Sequence, residues 1–445
     1  MDILNENNPL RLPQFRWMFA SQIFSLLGVG ILTVALSLAA LRIGGTGAAG
    51  MILGWILALK MVAYVFLAPL AEVWVSRFPP RLALVALDGL RMLLLLPMML
   101  VDSVGGLAAL AFVFFAVSAA FTPLYQATIP AVIREEKSYA RALSFSRLAY
   151  TLESVLSPVI AGIMLTLASE PSLFLMAALA LALSVVALVG ARLDVDAALS
   201  KKAPFLERLA RGVLIELKTP RLRGLLAMNF ALSLGLGWVL VNSVVFSGLR
   251  FSDDPTAFTT LMAGYGAGAA LCAPGVPALL ERFSERSVML AGCAFFTLAT
   301  PAIFLPLGLG GAVVLWAVLG WASSMVLTPG GLVLNRSAAR NDRPALFAAQ
   351  FSLSHAGWLI AYPLAGWAGS AFGIETSLVL LGGATGIVTI AAARLWPAED
   401  PLERRHSHAD LPPDHPHLRE VALTGPGGTH EHIFHIDDNH SRWAM

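Results

Sequence analysis

Apolar runs of about 20 or more residues follow one another along the chain, separated by short polar segments. A helix needs about 20 mostly apolar residues to cross a membrane, so these runs predict twelve transmembrane helices. The predicted spans are residues 17–41, 48–75, 82–102, 105–129, 142–168, 171–191, 223–248, 257–280, 287–307, 309–334, 346–370 and 374–395. The pattern therefore predicts an all-α membrane protein.

Short motifs of the first half recur in the second half at a nearly constant offset. Thr122-Pro123 recurs as Thr328-Pro329, Arg134 as Arg340, Phe145-Ser146 as Phe351-Ser352, Arg77-Phe78 as Arg282-Phe283, and Gly28-Val29-Gly30 as Gly235-Leu236-Gly237. Such an offset indicates a duplicated unit of six helices. Two repeated halves that enclose a site near the middle of the bilayer are typical of secondary transporters.

Composition divides the chain into four parts. Residues 1–191 and 223–395 form the two six-helix halves. The segment 192–222 joins them, and its apolar residues recur at helical spacing, which predicts an amphipathic helix on the cytoplasmic membrane surface. The tail, 396–445, is polar, holds eight of the nine histidines and shows no apolar face, so it is predicted to be disordered.

The basic residues predict the orientation of the chain in the bilayer. If the N-terminus is cytoplasmic, the outer loops carry only Arg42 and Arg250, and the other basic residues outside the spans lie on the inner side. Both termini are therefore predicted to be cytoplasmic, in a bacterial-type inner membrane. Charged residues make up only 13% of the chain, against about 25% in soluble proteins, so the bilayer is a predicted partner and nucleic acid is not.

Three motifs resemble those of the major facilitator superfamily, in particular its twelve-span branch of macrolide-efflux and siderophore-export carriers. The first is the basic loop Arg77-Phe78-Pro79-Pro80-Arg81 with its counterpart Glu281-Arg282-Phe283-Ser284-Glu285-Arg286, although Ser76 stands where the family usually has Asp. The second is Phe121-Thr122-Pro123 leading to Gln126-Ala127-Thr128-Ile129-Pro130. The third, Pro158-Val159-Ile160-Ala161-Gly162, is similar to part of the antiporter signature. The resemblance covers residues 15–395 and implies that spans 1, 2, 4 and 5 face a central cavity.

Seven ionisable residues lie inside predicted spans, where each must face a partner or an aqueous cavity. They are Lys60, Glu72, Asp88, Arg91, Arg147, Glu153 and His355. Four of them, Glu72, Asp88, Arg91 and Arg147, lie toward the cytoplasmic ends of spans 2, 3 and 5. With Arg77, Arg81, Glu281 and Arg282 of the loops, they are predicted to form a gate and structural ion cluster. The alternative is that these four residues handle substrate or protons.

Lys60 and Glu153 lie deeper, about 18–22 Å from the cytoplasmic ends of their spans at 1.5 Å per residue. They are predicted to pair across the cavity and to take part in coupling, with a static salt bridge as the alternative. His355 is interpreted as a hydrogen-bonded histidine or as a ligand. Gln22 and Asn229, at matching depths of spans 1 and 7, complete the predicted transport site.

The tail histidines occur in three His-x-His pairs and two further positions: His406, His408, His415, His417, His430, His432, His435 and His440. Imidazole suits nickel, zinc, cobalt and copper, so weak binding of divalent metal ions is one interpretation. A solvated, compositionally biased tail is the other. Some nickel-resistance carriers of the superfamily also end in a His-rich tail. No other cofactor is expected.

The functional hypotheses belong to different classes. The first is a monomeric secondary transporter that exports a small molecule or ion by proton exchange, and the second is a transition-metal exporter. The third is a membrane sensor or scaffold that does not transport. The sequence shows no nucleophile, nucleotide or closed metal constellation in its polar segments, so an enzyme is not expected.

Overall fold

Helices make up most of the chain in the computed structural model. It describes residues 8–67, 78–133, 135–193, 205–251, 255–339, 341–407, 412, 423–425, 429–437, 439–440 and 442–443. The helices in these residues are α1 (Pro13–Val62), α2 (Pro80–Met98), α3 (Val104–Val132), α4 (Glu136–Leu167), α5 (Ser172–Gly190), α6 (Phe205–Lys218), α7 (Pro220–Arg250), α8 (Pro255–Cys272), α9 (Val276–Leu280), α10 (Glu285–Ala299), α11 (Leu309–Leu327), α12 (Gly330–Ser337), α13 (Arg343–Phe372) and α14 (Ile374–Leu395).

The first two predicted spans are joined in α1 and are separated only at Gly45. This residue has φ 58° and ψ −175°, a conformation that glycine adopts without the steric cost of a Cβ atom. The helical path therefore breaks within α1 although no long loop intervenes. After α1 the chain continues in a π-helical turn, Ala63–Leu67.

Eight helical stretches of the described residues are long and apolar enough to cross a membrane: Pro13–Leu67, Val104–Gln126, Ser172–Gly190, Pro220–Arg250, Thr256–Leu280, Glu285–Phe304, Leu309–Ser337 and Ile374–Leu395. Pro13–Leu67 contains two spans because it breaks at Gly45. The more polar helices α2, α4 and α13 supply the remaining three of the twelve predicted spans. The prediction of an all-α membrane protein with twelve helical spans is confirmed.

The two halves meet where glycine lets helices approach closely. A Cβ atom on Gly54 of α1 would lie 2.6 Å from the Tyr362 carbonyl oxygen of α13, and one on Gly366 would lie 2.5 Å from the Gly50 carbonyl oxygen. Small residues are the usual means of close helix packing in membranes. The segment of α1 that follows Gly45 therefore packs against α13 of the other half.

The helix between the halves, α6, docks on the start of α13. Arg211 forms an ion pair with Asp342 at 3.2 Å. Gly212 lies so close to the Ala345 carbonyl that a Cβ atom would collide with it, and Ile215 is buried. Helix α6 thus rests on the second half, and the end of the bundle at which it lies is called the linker end below.

Part of the tail folds, so the prediction of a disordered tail is wrong for these residues. Strands β1 (Glu403–His406), β2 (Leu423–Gly425) and β3 (Thr429–Ile433) form an antiparallel sheet in the order β1-β3-β2. Phe434 and Ile436 are 2% and 1% exposed and join the main hydrophobic core. The tail therefore has no continuous apolar face of its own, and it is Phe434 and Ile436 that anchor it in the core of the protein.

Candidate functional site

Lys60 lies on the second segment of α1 among aromatic rings. Its Nζ atom is 5.7 Å from the centroid of the Tyr64 ring and 5.4 Å from that of Phe115 on α3. Aromatic faces attract cations within about 6 Å, so these rings stabilise the ammonium group. The side chain is half-buried, which leaves part of it accessible.

Glu153 approaches α1 from α4. Its carboxylate and the Ser157 hydroxyl lie against Gly30, where a Cβ atom would collide with both. Lys60 and Glu153 interact electrostatically. Among the described residues no direct ion pair joins them, so neither the predicted pair nor a static salt bridge is formed in this structure, and their role in coupling stays a prediction. The carboxylate and the ammonium group are therefore neighbours that do not contact each other directly.

His355 reaches the same region from α13 of the other half. Its Nδ1 atom lies 2.7 Å from the Phe351 carbonyl oxygen, and its ring lies 3.9 Å from the Phe351 ring and 5.8 Å from the Tyr64 ring. Lys60 and His355 therefore lie against the same Tyr64 ring. The structure thus brings Lys60, Glu153 and His355 together from both halves, and we call these three residues the central site.

The central site is accessible. Tyr150, three residues before Glu153 on α4, is 42% exposed, and Phe351 is 41% exposed. The central site therefore lies beside open surface rather than inside a sealed core. The sequence analysis did not single out Tyr64, Tyr150 or Phe351. Their signal was the helical spacing of Lys60 with Tyr64 and of Phe351 with His355.

A second ionic group is buried in the first half. Asp88 and Arg91 of α2 form an ion pair, and Ser184 of α5 donates a hydrogen bond of 2.5 Å to Asp88 Oδ2. Arg91 donates to Ser25 Oγ of α1 at 2.9 Å and lies 4.1 Å from the centroid of the Phe121 ring on α3. This ion cluster therefore links the first, third, fourth and sixth spans. The members predicted on the second and fifth spans, Glu72 and Arg147, are not covered by the described structure, so their part in the cluster stays a prediction.

The other predicted site residues of the helices and loops either have partners or exposure of their own or fall outside the described residues. Gln22 accepts a hydrogen bond of 2.8 Å from Ser146, and Arg81 donates one of 2.6 Å to the Val189 carbonyl oxygen. Asn229 is half-buried on α7, and Glu281 and Arg282 are exposed. The positions of Glu72 and Arg77, and the side chain of Arg147, lie outside the described part of the structure.

Comparison with known proteins identifies the family to which this architecture belongs. The family model of the Major Facilitator Superfamily matches residues 18–252 and 231–426. The chain belongs to the Major Facilitator Superfamily. It is thus a multi-pass membrane transporter and not an enzyme. None of the curated proteins matches the chain.

Solved structures of superfamily transporters share the fold. A bacterial homolog of the human lysosomal transporter Spinster, in an inward-facing and unoccupied conformation, has a TM-score of 0.70 and 14% sequence identity, over 86% of this chain and 98% of its own. The nucleoside transporter NupG has a TM-score of 0.68 and 12% identity, over 86% and 98%. A POT family transporter in complex with a thioalcohol-conjugated peptide has 0.67 and 12%, over 85% and 94%.

In this superfamily member the linker end of the second half carries an arginine cluster that the sequence analysis missed. Asp400 lies 3.6 Å from Arg221, 3.6 Å from Arg336 and 3.5 Å from Arg404. Arg221 and Arg404 also lie 5.0 and 4.9 Å from the centroid of the Trp443 ring. The cluster therefore ties the tail to α7 and α12.

Five of the eight predicted tail ligands fall in the described residues. Ligand atoms of His406, His430 and His432 lie within 4.8 Å of one another, and the Nε2 atom of His440 lies 3.0 Å from that of His406. Burial lowers the pKa of His406 to about 4, which keeps its imidazole neutral near pH 7. His435 instead lies 3.2 Å from the Arg336 carbonyl oxygen. The remaining predicted ligands, His408, His415 and His417, lie outside the described residues.

Proposed function

We propose that this protein is a secondary transporter that exports a small molecule by proton exchange, through alternating access of the cavity between its halves. The observation that carries the proposal is the central site, in which Lys60 and Glu153 of one half face His355 of the other. Ionisable residues inside a membrane are costly and usually mark an ion or substrate pathway. A site shared by both halves changes when the halves move, and such a change couples binding to transport.

Glu153 is the proposed proton carrier. Its carboxylate lies near the Lys60 ammonium group without a direct ion pair, so gain of a proton removes an attraction and frees Lys60 for an anionic or polar substrate. The rings of Tyr64, Phe115 and Phe351 offer apolar contact surface. The combination favours an organic solute with a polar or charged group.

The orientation and location are part of this proposal. The distribution of basic residues supports cytoplasmic termini in a bacterial-type inner membrane. The motifs around Thr122 and Pro158 support membership of the efflux-type branch. The fold serves a nucleoside transporter and a peptide-binding transporter, which supports a small organic substrate. We propose that the functional unit is a monomer, since one chain contains both halves and all three residues of the central site.

A second candidate function is export of transition-metal ions. The clustered imidazoles of His406, His430 and His432 favour it, because a His-rich tail near the cavity mouth raises the local supply of ions. The third hypothesis, a sensor or scaffold without transport, is disfavoured by the accessibility of the central site.

A susceptibility panel tests the proposal. A strain that lacks the gene is exposed to metals and to antimicrobial compounds, and it is complemented with the wild-type gene, with Glu153→Gln or with Glu207→Gln, which changes an exposed residue of α6. The expected result is that wild type and Glu207→Gln restore tolerance to one class of organic compound and Glu153→Gln does not. Restored tolerance to metals alone would favour the second candidate. Full rescue by Glu153→Gln would contradict the proton-carrier role.

A further inference from the structure

Four tail histidines converge at one place on the folded sheet. The Nε2 atoms of His406 and His440 lie 3.0 Å apart, and the ring of His406 lies 4.4 Å from that of His430 and 4.8 Å from that of His432. His430 and His440 are 0% and 4% exposed. Two nitrogens that bind one zinc ion tetrahedrally at about 2.05 Å are separated by about 3.3 Å, so the spacing suits a shared ion.

Three of these imidazoles are oriented by an acceptor at Nδ1. The contacts are His406 with the Arg404 carbonyl oxygen at 3.0 Å, His432 with the Ile433 carbonyl oxygen at 2.7 Å, and His440 with Asp437 Oδ1 at 2.7 Å. A bond from Nδ1–H to an acceptor leaves the lone pair on Nε2 and fixes the direction of the ring. Metal-binding histidines almost always have such a partner, and a carboxylate is a frequent one.

We propose that His406, His430, His432 and His440 together bind one transition-metal ion of the class that prefers imidazole, such as zinc, nickel, cobalt or copper. Four protein ligands make a closed site, which is the arrangement of structural rather than catalytic metal ions. Asp437 is a positioning residue that orients His440. The site is distinct from a diffuse His-rich reservoir, because it uses four defined positions and one ion per chain.

The ion would hold the tail together and keep it on the transporter. His406 lies on β1, His430 and His432 lie on β3, and His440 lies beyond both strands, so one ion cross-links three separate segments. The same fold is attached to the linker end through Asp400 and through His435 on Arg336. A metal that stabilises this fold therefore stabilises the contact between the tail and the second half. This inference does not depend on what the carrier transports.

The test measures Zn²⁺ and Ni²⁺ separately on the purified full-length protein in detergent, by competition with a chromophoric chelator. Wild type is compared with a variant that carries His406→Ala, His430→Ala and His440→Ala. A matched control carries His408→Ala, His415→Ala and His417→Ala, which removes the same number of imidazoles from the same tail. A further variant, Asp437→Asn, keeps every imidazole and removes only the negative charge of the acceptor. Metal-dependent protection of the tail from protease is the second readout.

The expected result for wild type and the matched control is one tightly bound ion and a tail that metal protects. The triple variant at the proposed ligands should lose this ion, and Asp437→Asn should bind it about 10–100-fold more weakly. Equal losses in both triple variants, or a stoichiometry that follows the total number of histidines, would overturn the proposal. Neither outcome bears on small-molecule transport, which the susceptibility panel measures independently.

Discussion

Glu216 on the linker helix α6 leads to a prediction about how firmly that helix is held. The side chain is fully buried, and neither carboxylate oxygen has a hydrogen-bond partner among the described residues. It lies outside the membrane spans. Burial raises its pKa from 4.5 to about 8, because the charged form is poorly solvated where α6 packs on the bundle. The substitution to consider is Glu216→Gln, which keeps the shape and removes the charge.

The size of the expected effect on docking follows from the pKa shift of Glu216. Docked α6 holds the protonated carboxyl at pH 7, whereas undocked α6 exposes a carboxyl that ionises with its ordinary pKa of 4.5. Release of the helix therefore liberates a proton, and at pH 7 this weakens docking by about 3 kcal/mol relative to pH 4. The contribution of the bound proton to the docking of α6 is complete below pH 4.5 and is lost as the pH rises toward 8. Glu216→Gln should remove this dependence.

Hydrogen exchange of peptides from 205–218 measures the docking, because local opening exposes the amides. Wild-type protection, corrected for intrinsic exchange, should fall by about 100-fold between pH 5 and pH 7. Protection in Glu216→Gln should stay constant over this range. The exposed residue of the same helix, Glu207, supplies the control Glu207→Gln, which should behave like wild type. The same pH dependence in wild type and Glu216→Gln would refute the reasoning.

Three further predictions follow from the ionic groups. Asp88→Asn leaves Arg91 buried without its counter-charge, so thermal unfolding in detergent should show a loss of about 3 kcal/mol with an unaltered substrate profile; a changed profile at normal stability would contradict the bracing role. Lys60→Ala should impair transport as Glu153→Gln does, and recovery in the double variant would indicate that the two charges only neutralise each other. Removal of 402–445, which retains Asp400 for Arg221, should leave membrane insertion intact; unchanged resistance to nickel, cobalt, zinc and copper would count against metal export.

The sequence was sufficient to predict the membrane architecture. Length and apolarity predict the spans because lipid admits few alternatives to a long helix. Asp88 and Arg91 could be placed on one face because helix periodicity fixes the spacing of i and i+3. Lys60 and Glu153 stood out because charge inside a span is rare.

The remaining features depend on contacts between distant segments. Arg221 and Asp400 lie in different structural elements, and nothing in their local sequence indicates that they meet. Phe351 and Tyr64 are aromatic residues in apolar runs, where they resemble lipid-facing side chains until the packing of α13 against α1 is known. The fold of the tail could not be predicted, because Phe434 and Ile436 form no apolar face within the tail and find their apolar partners in the core of the protein.

Proton-coupled transport through the central site is tested most directly in inside-out membrane vesicles, with the compound that the susceptibility panel identifies. With an acid interior, wild-type vesicles should accumulate the compound, and its addition should partly collapse the pH gradient. Vesicles that contain Glu153→Gln at the same protein level should do neither, whereas the control variant Glu207→Gln should match wild type. Gradient-driven accumulation in Glu153→Gln at the wild-type rate would contradict the account.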